Sequence, residues 1–133
     1  MPSPTCWNAD LETGDPTIDR EHRELVEVVD QLTAAAAAGD EPARVSHALD
    51  IFRAHTMQHF PGEERTMRAR NYPDLARHAL AHRHLTELVA TLVVKQHHGE
   101  TILYSEVSQL ANVLYRHILL EDKPLAAFLR KTV

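Results

Sequence analysis

The chain has 133 residues, enough for one domain with a single core and too few for two of ordinary size. Hydrophobic residues make up 44% and charged residues 25%, the balance of a soluble globular fold. A net charge of −5 argues against nucleic acid, whose binding needs clustered Lys and Arg, and no apolar run approaches a transmembrane span.

Residues 1–17 read as an irregular arm, because three prolines, Gly14 and Asp15-Pro16 interrupt any pattern. Trp7 is the large apolar side chain there and is expected to pin the arm to the rest. The start, MPSPTCWNAD, has neither the basic residues nor the apolar stretch of a secretory signal, and the lone Cys6 cannot form an internal disulfide. A cytoplasmic home and an inert thiol are expected. Helix then begins. Ile18, His22, Leu25, Val29 and Leu32 recur at spacings of four and three, with Asp19 as expected N-cap and Gly39 closing an alanine run.

A second helix opens near Glu41-Pro42 with the stripe Val45, Leu49, Phe52, Thr56, His59, Glu63 and Met67, and ends at Asn71-Tyr72-Pro73. Pro61 falls inside it and costs a backbone hydrogen bond. The third carries Leu75, His78, His82, Leu85, Val89 and Leu92, and the fourth Leu103, Val107, Leu110, Leu114 and His117. A last segment, Leu125 to Leu129, is read as one or two covering turns. The expected fold is all-α, one domain over 1–133: an antiparallel up-down-up-down four-helix bundle. Its helices span about 18–38, 41–70, 74–97 and 101–122, after the N-terminal arm.

Those stripes should be apolar, yet they contain His22, His59, Glu63, His78, His82 and His117. Burying an unpaired polar group costs roughly 1–3 kcal/mol, and six would consume much of the ~5–15 kcal/mol that holds a domain together. Their positions suggest what satisfies them. Early in the first and third helices, and late in the second and fourth, they converge at one end of an antiparallel bundle. His59 with Glu63, and His78 with His82, are i,i+4 pairs on one face. Asp122, five residues beyond His117, lies about 140° off the stripe in a regular helix. Pro124 implies loosening there that lets Asp122 turn inward. Five imidazoles and two carboxylates exceed the needs of one ion, whereas two carboxylate-bridged ions would use all seven. Nitrogen and oxygen donors without thiolate point to iron, with manganese and copper as weaker fits.

These residues bring the chain close to the hemerythrins, particularly the single-domain bacterial ones, which it resembles from Trp7 to its end. The landmarks are Trp7, Gly14, Ile18-Asp19-Arg20-Glu21-His22, His59-Phe60-Pro61-Gly62-Glu63-Glu64 with Met67, Tyr72-Pro73, His78-xxx-His82 and His117-xxxx-Asp122. The resemblance implies that His78, His82 and His117 bind one iron, and His22 and His59 another that keeps an open position. Glu63, Asp122 and an oxygen atom from water would bridge the pair. Dioxygen would bind reversibly at the open position, drawing two electrons from the diferrous pair and returning them on release. Leu25, Phe60, Leu114 and Ile118 are the candidates for the dry wall around it. Two positions depart from the family: Val113, four before the last histidine, where tryptophan is frequent, and Leu85, where phenylalanine is. Both changes shrink side chains near the expected pocket and would widen access.

The functions implied are oxygen storage, transport or delivery, with dioxygen as ligand and an oxygen-consuming protein as recipient. The alternatives are a di-iron redox enzyme (oxidase, peroxidase or nitric oxide reductase) and an oxygen- or iron-sensing module. Oxygen-activating di-iron bundles use Glu-x-x-His pairs, and none occurs here, so no enzyme activity is expected. His47, His55, His84, His97 and His98 fall off the stripes and read as surface. His55, one turn before His59, is the one able to compete for metal. Glu64 reads as solvent-facing and Met67 as core filler.

Overall fold

The structure is a computed structural model that describes residues 7–39 and 42–131. Cys6 and Glu41, and with them the expected inert thiol and the expected start of the second helix, lie outside the described residues. The first long helix, α1 (Pro16–Ala37), starts earlier than expected. Pro16 has its φ pre-set for a first helical position, and the Asp15 carboxylate before it accepts from the Thr17 and Ile18 amides at 3.0 Å. Asp19 is therefore not the cap. Its carboxylate accepts instead from the Thr13 amide and hydroxyl (2.9 and 2.8 Å) and the Gly14 amide (3.2 Å), clasping the arm to the helix. Trp7 packs half-buried against the core with the Arg23 guanidinium 5.2 Å over its ring.

Gly14 makes that clasp possible, because its φ of +94° is one that L side chains rarely adopt. A Cβ there would also lie 2.7 Å from Arg130 Nη1, which donates to the Thr13 carbonyl at 2.7 Å. Gly14→Ala is expected to cost about 1–3 kcal/mol, read as a lower urea midpoint with an unchanged slope.

Helix α2 (Pro42–Ala69) continues through Pro61. It ends where Asn71 takes a left-handed φ of 57°, letting the Tyr72 amide donate back to the Met67 carbonyl at 2.9 Å. Helices α3 (Leu75–His97) and α4 (Tyr104–His117) follow, α4 beginning after the expected position near 101. Beyond His117 the chain winds wider, in π-helical form, over Ile118–Asp122, then tightens into α5 (Lys123–Lys131). The short connections make successive helices antiparallel, and α1 packs on α2 and α4, α2 on α3, and α3 on α4. This is the expected four-helix bundle, with α5 as the covering turns.

The main core fills the length of the bundle with Leu25, Val29, Leu32, Leu49, Phe52, Val89 and Leu110, all 0–2% exposed. Each such side chain contributes about 1.5–3 kcal/mol on burial. A smaller cluster of Met67, Tyr72 and Leu125 seals the end where α5 crosses, with Phe128 against the Tyr72 ring. His59, Glu63 and His78 lie at that end, beside Tyr72 and Leu125. No helix among the described residues is long and apolar enough to cross a membrane.

Candidate metal centre

His22 comes from α1, His59 and Glu63 from α2, His78 and His82 from α3, His117 from α4, and Asp122 from the π-helical turn. All seven are 0–7% exposed. The wide turn is what brings in Asp122. In π-helical winding hydrogen bonds span five residues, as from the Lys123 amide to the Ile118 carbonyl, so positions five apart share a face. His117 Nε2 and Asp122 Oδ1 are thereby 3.2 Å apart. The loosening expected near Pro124 takes this form.

The two carboxylates divide the imidazoles between them. Glu63 Oε1 lies 3.1 Å from His78 Nε2 and 3.0 Å from His82 Nε2, while Asp122 Oδ1 lies 2.9 Å from His78 and 3.2 Å from His117. Their other oxygens face the opposite side: Glu63 Oε2 is 3.3 Å from His59 Nε2, and Asp122 Oδ2 is 2.9 Å from His22 Nε2. Two donor sets result, Glu63-His78-His82-His117-Asp122 and His22-His59-Glu63-Asp122. Glu63 and Asp122 belong to both.

Many of these short approaches are not hydrogen bonds. His22 Nε2, His59 Nε2, His117 Nε2, Glu63 Oε2 and both Asp122 oxygens are buried with no hydrogen-bond partner, although acceptor and donor atoms stand within about 3 Å. The atoms converge without pointing at one another, as donors do around a shared cation. Orphaned buried polar atoms cost about 1–3 kcal/mol each. A cation would satisfy them, and so the donor set fits a metal site.

Protonation in the metal-free protein follows from the same packing. Burial alone lowers the imidazoles, but the carboxylates of Glu63 and Asp122 standing close beside them outweigh it, raising His59 and His78 to about 9 and His117 to about 10. Burial likewise pushes Glu63 and Asp122 up, and the surrounding imidazoles outweigh that, holding both carboxyls well below their ordinary range.

Three carboxylates outside the cluster anchor its imidazoles. His59 Nδ1 pairs with Glu21 at 2.6 Å, His82 Nδ1 with Glu64 at 2.7 Å, and His117 Nδ1 with Glu121 at 3.2 Å. Glu64 is thus not the solvent-facing residue expected: its side chain is 24% exposed and engaged. Glu21, Glu64 and Glu121 each precede or follow a cluster residue by one position. One step along a helix rotates a side chain by about 100°, which aims Glu21 and Glu64 across to the adjacent helix. With Nδ1–H donating outward, each ring turns Nε2 toward the centre. Glu64→Ala is expected to weaken metal retention by about 10–100-fold with folding intact, measured by chelator competition, and Glu64→Gln to lose less because its amide oxygen still accepts.

The expected wall is buried throughout: Leu25, Phe60, Leu114 and Ile118 are 0–4% exposed. Phe60 stacks on His82 at 4.2 Å and also stands beside His59 and His117. Leu85 lies in the main core, whereas Val113 is half-buried and lines a shallow surface depression with Tyr104 and Arg116. That depression holds none of the seven residues, and Val113 packs against the edge of the main core. His55 stays outside the cluster, 38% exposed and 4.0 Å from Glu24. A groove of about 940 Å³ between α1, α2 and α5 reaches inward from there to His59 and Glu63.

Residues 13–129 match the Hemerythrin HHE cation binding domain. The bacteriohemerythrin of Stenotrophomonas maltophilia (strain R551-3) is 31% identical over 90% of this chain and 78% of its own length. That of Methylococcus capsulatus (strain ATCC 33009 / NCIMB 11132 / Bath) is 28% identical over 90% of this chain and 91% of its own. A crystal structure of wild-type hemerythrin superposes with a TM-score of 0.86 at 27% identity, covering 94% of this chain and 97% of that one. With its buried, doubly shared donor set inside a four-helix bundle, this chain belongs to the hemerythrin family.

Proposed function

We propose that this protein, as a single hemerythrin domain, binds dioxygen reversibly at a non-haem di-iron centre and serves oxygen storage, transport or delivery. The observation that carries the reading is the sharing of Glu63 and Asp122 between a three-histidine and a two-histidine donor set. His78, His82 and His117 would hold one iron with Glu63 Oε1 and Asp122 Oδ1. His22 and His59 would hold the other with Glu63 Oε2 and Asp122 Oδ2. With one imidazole fewer, the His22 and His59 side would be the one to admit an external ligand. A ferrous pair supplies the two electrons that reversible dioxygen binding draws on.

The chain's own part is to bind, orient and exclude water. Glu21, Glu64 and Glu121 keep three imidazoles turned inward, while Leu25, Phe60, Leu114 and Ile118 deny bulk water a path through the bundle. Buried Leu114 and Ile118 also carry no proton to give, which favours release of dioxygen over its irreversible, proton-coupled reduction. A histidine-rich donor set brings less negative charge than the carboxylate-rich, Glu-x-x-His sets of oxygen-activating bundles, and so favours binding over oxidation chemistry. An oxygen-consuming protein is the recipient this role calls for.

The test is optical. Anaerobic protein loaded with ferrous iron is exposed to air, then stripped of oxygen, while its visible absorption is followed. Colour that appears and fades over repeated cycles is expected. Irreversible oxidation, with turnover of an added reductant, would instead make the protein an enzyme.

A further inference from the structure

The groove between α1, α2 and α5 carries a run of donors whose outer members, Glu24 and His55, the oxygen-binding reading does not use. Two rungs cross it from α1 to α2. The inner rung is Glu21 with His59 at 2.6 Å, and the outer is Glu24 with His55 at 4.0 Å. The spacing is set by the helices, Glu21 and Glu24 being i,i+3 on α1 and His55 and His59 i,i+4 on α2. All four line the same groove, and so does Glu63 of the centre. The outer pair is open to solvent, with side chains 38% and 52% exposed, and the inner glutamate is 40% exposed. Exposure falls to 4% at the side chains of His59 and Glu63.

The outer rung is too wide for a hydrogen bond but suited to a cation. First-row ions sit about 2.0–2.2 Å from nitrogen and oxygen donors, so two donors on one ion are at most about 4 Å apart. Two donors hold an ion weakly, which is what a site that must release it requires. The groove also holds Arg65, Arg70 and Arg130. Arg70 and Arg130 donate to the Leu129 and Thr13 carbonyls, and Arg65 lies ten residues along α2 from His55, roughly 15 Å of helix. The cationic end is therefore the end away from the outer rung.

We propose that Glu24 and His55 capture a ferrous ion at the mouth of this groove and pass it by way of Glu21 to His59 and Glu63, making the two-histidine side the door through which the centre is loaded. The inference rests on the reading that the centre holds iron, and its test separates the two. Metal-free protein is mixed anaerobically with limiting ferrous iron, and free iron is followed over time with a colorimetric chelator before final iron is counted. The E24Q/H55A double variant is expected to take up iron about tenfold more slowly than wild type, the scale of a lost electrostatic funnel, and still to reach wild-type content. H55D with Glu24 retained restores a donor and is expected to recover most of the rate. Uptake by the double variant at the wild-type rate would overturn the proposal, as would a fall in its final content, which would mean these residues hold the ion rather than admit it. If wild type itself takes up no iron, the reading of the centre falls first.

Discussion

Asp122→Ala is expected to abolish retention of both irons while leaving a folded helical bundle. The side chain is fully buried, and its two oxygens face opposite donor sets, Oδ1 toward His78 and His117 and Oδ2 toward His22. One substitution therefore strips a donor from each proposed cation position. Loss of a partner that merely orients a ligand costs about 10–100-fold in metal affinity, and loss of a shared donor is expected to exceed that. The main core, running from Leu32 and Phe52 to Leu110, does not depend on Asp122, so helical circular dichroism should survive. Asp122→Asn, nearly isosteric, is the companion that separates charge from packing. It too should fail to hold two irons. Two irons per chain in either variant after desalting would contradict a bridging role.

The second large effect is the linkage of metal, protons and stability. In the metal-free protein His59, His78 and His117 titrate at about 9, 9 and 10, above the ordinary 6.5. Raised imidazoles stabilise the fold fully below pH 6.5, and that contribution is lost as pH climbs through 9 to 10. Glu63 and Asp122 are depressed, so their contribution is present above their ordinary values of 4.5 and 3.8 and is lost as acid reaches their folded ones. These are two descriptions of one set of pairs, and they place maximum stability of the metal-free protein between about pH 4.5 and 6.5. Metal must displace the imidazole protons. Affinity is then expected to rise about tenfold per pH unit for each proton released, up to about three, between pH 6.5 and 8. Titration calorimetry in buffers of different ionisation enthalpy counts those protons, and a count of zero would contradict the assignment. Free iron a thousandfold above its Kd adds about 4 kcal/mol. For a domain of this size that is on the order of 15 °C in Tm, a gap that should widen as pH rises.

What was legible in the sequence, and what was not, divides by the physics of the helix. Stripes such as Val45-Leu49-Phe52 and Leu85-Val89-Leu92 repeat with the helical period, so the four helices and their antiparallel order can be read directly. The six polar residues interrupting those stripes at one end are equally visible, and the structure gathers them with Asp122. Asp122 is harder, since a regular helix turns it away from His117, and only a π-helical turn brings it back. Nothing in single-residue preference specifies where that turn falls. Glu21, Glu64 and Glu121 escaped because their role depends on which helix lies alongside, a fact of packing rather than of period. Asp19 reads as a cap because it precedes a helical run, but Pro16 lets the helix begin before it and frees Asp19 to hold the arm. The surroundings of Val113 are equally hidden, since which way a residue four before His117 faces depends on how α4 sits on its neighbours.

All of this rests on two cations sharing two carboxylates, and counting the metal tests that most directly. Metal-free protein is reconstituted anaerobically with ferrous iron, desalted, and assayed for iron and for polypeptide. Two irons per folded chain are expected; one or fewer would contradict the account.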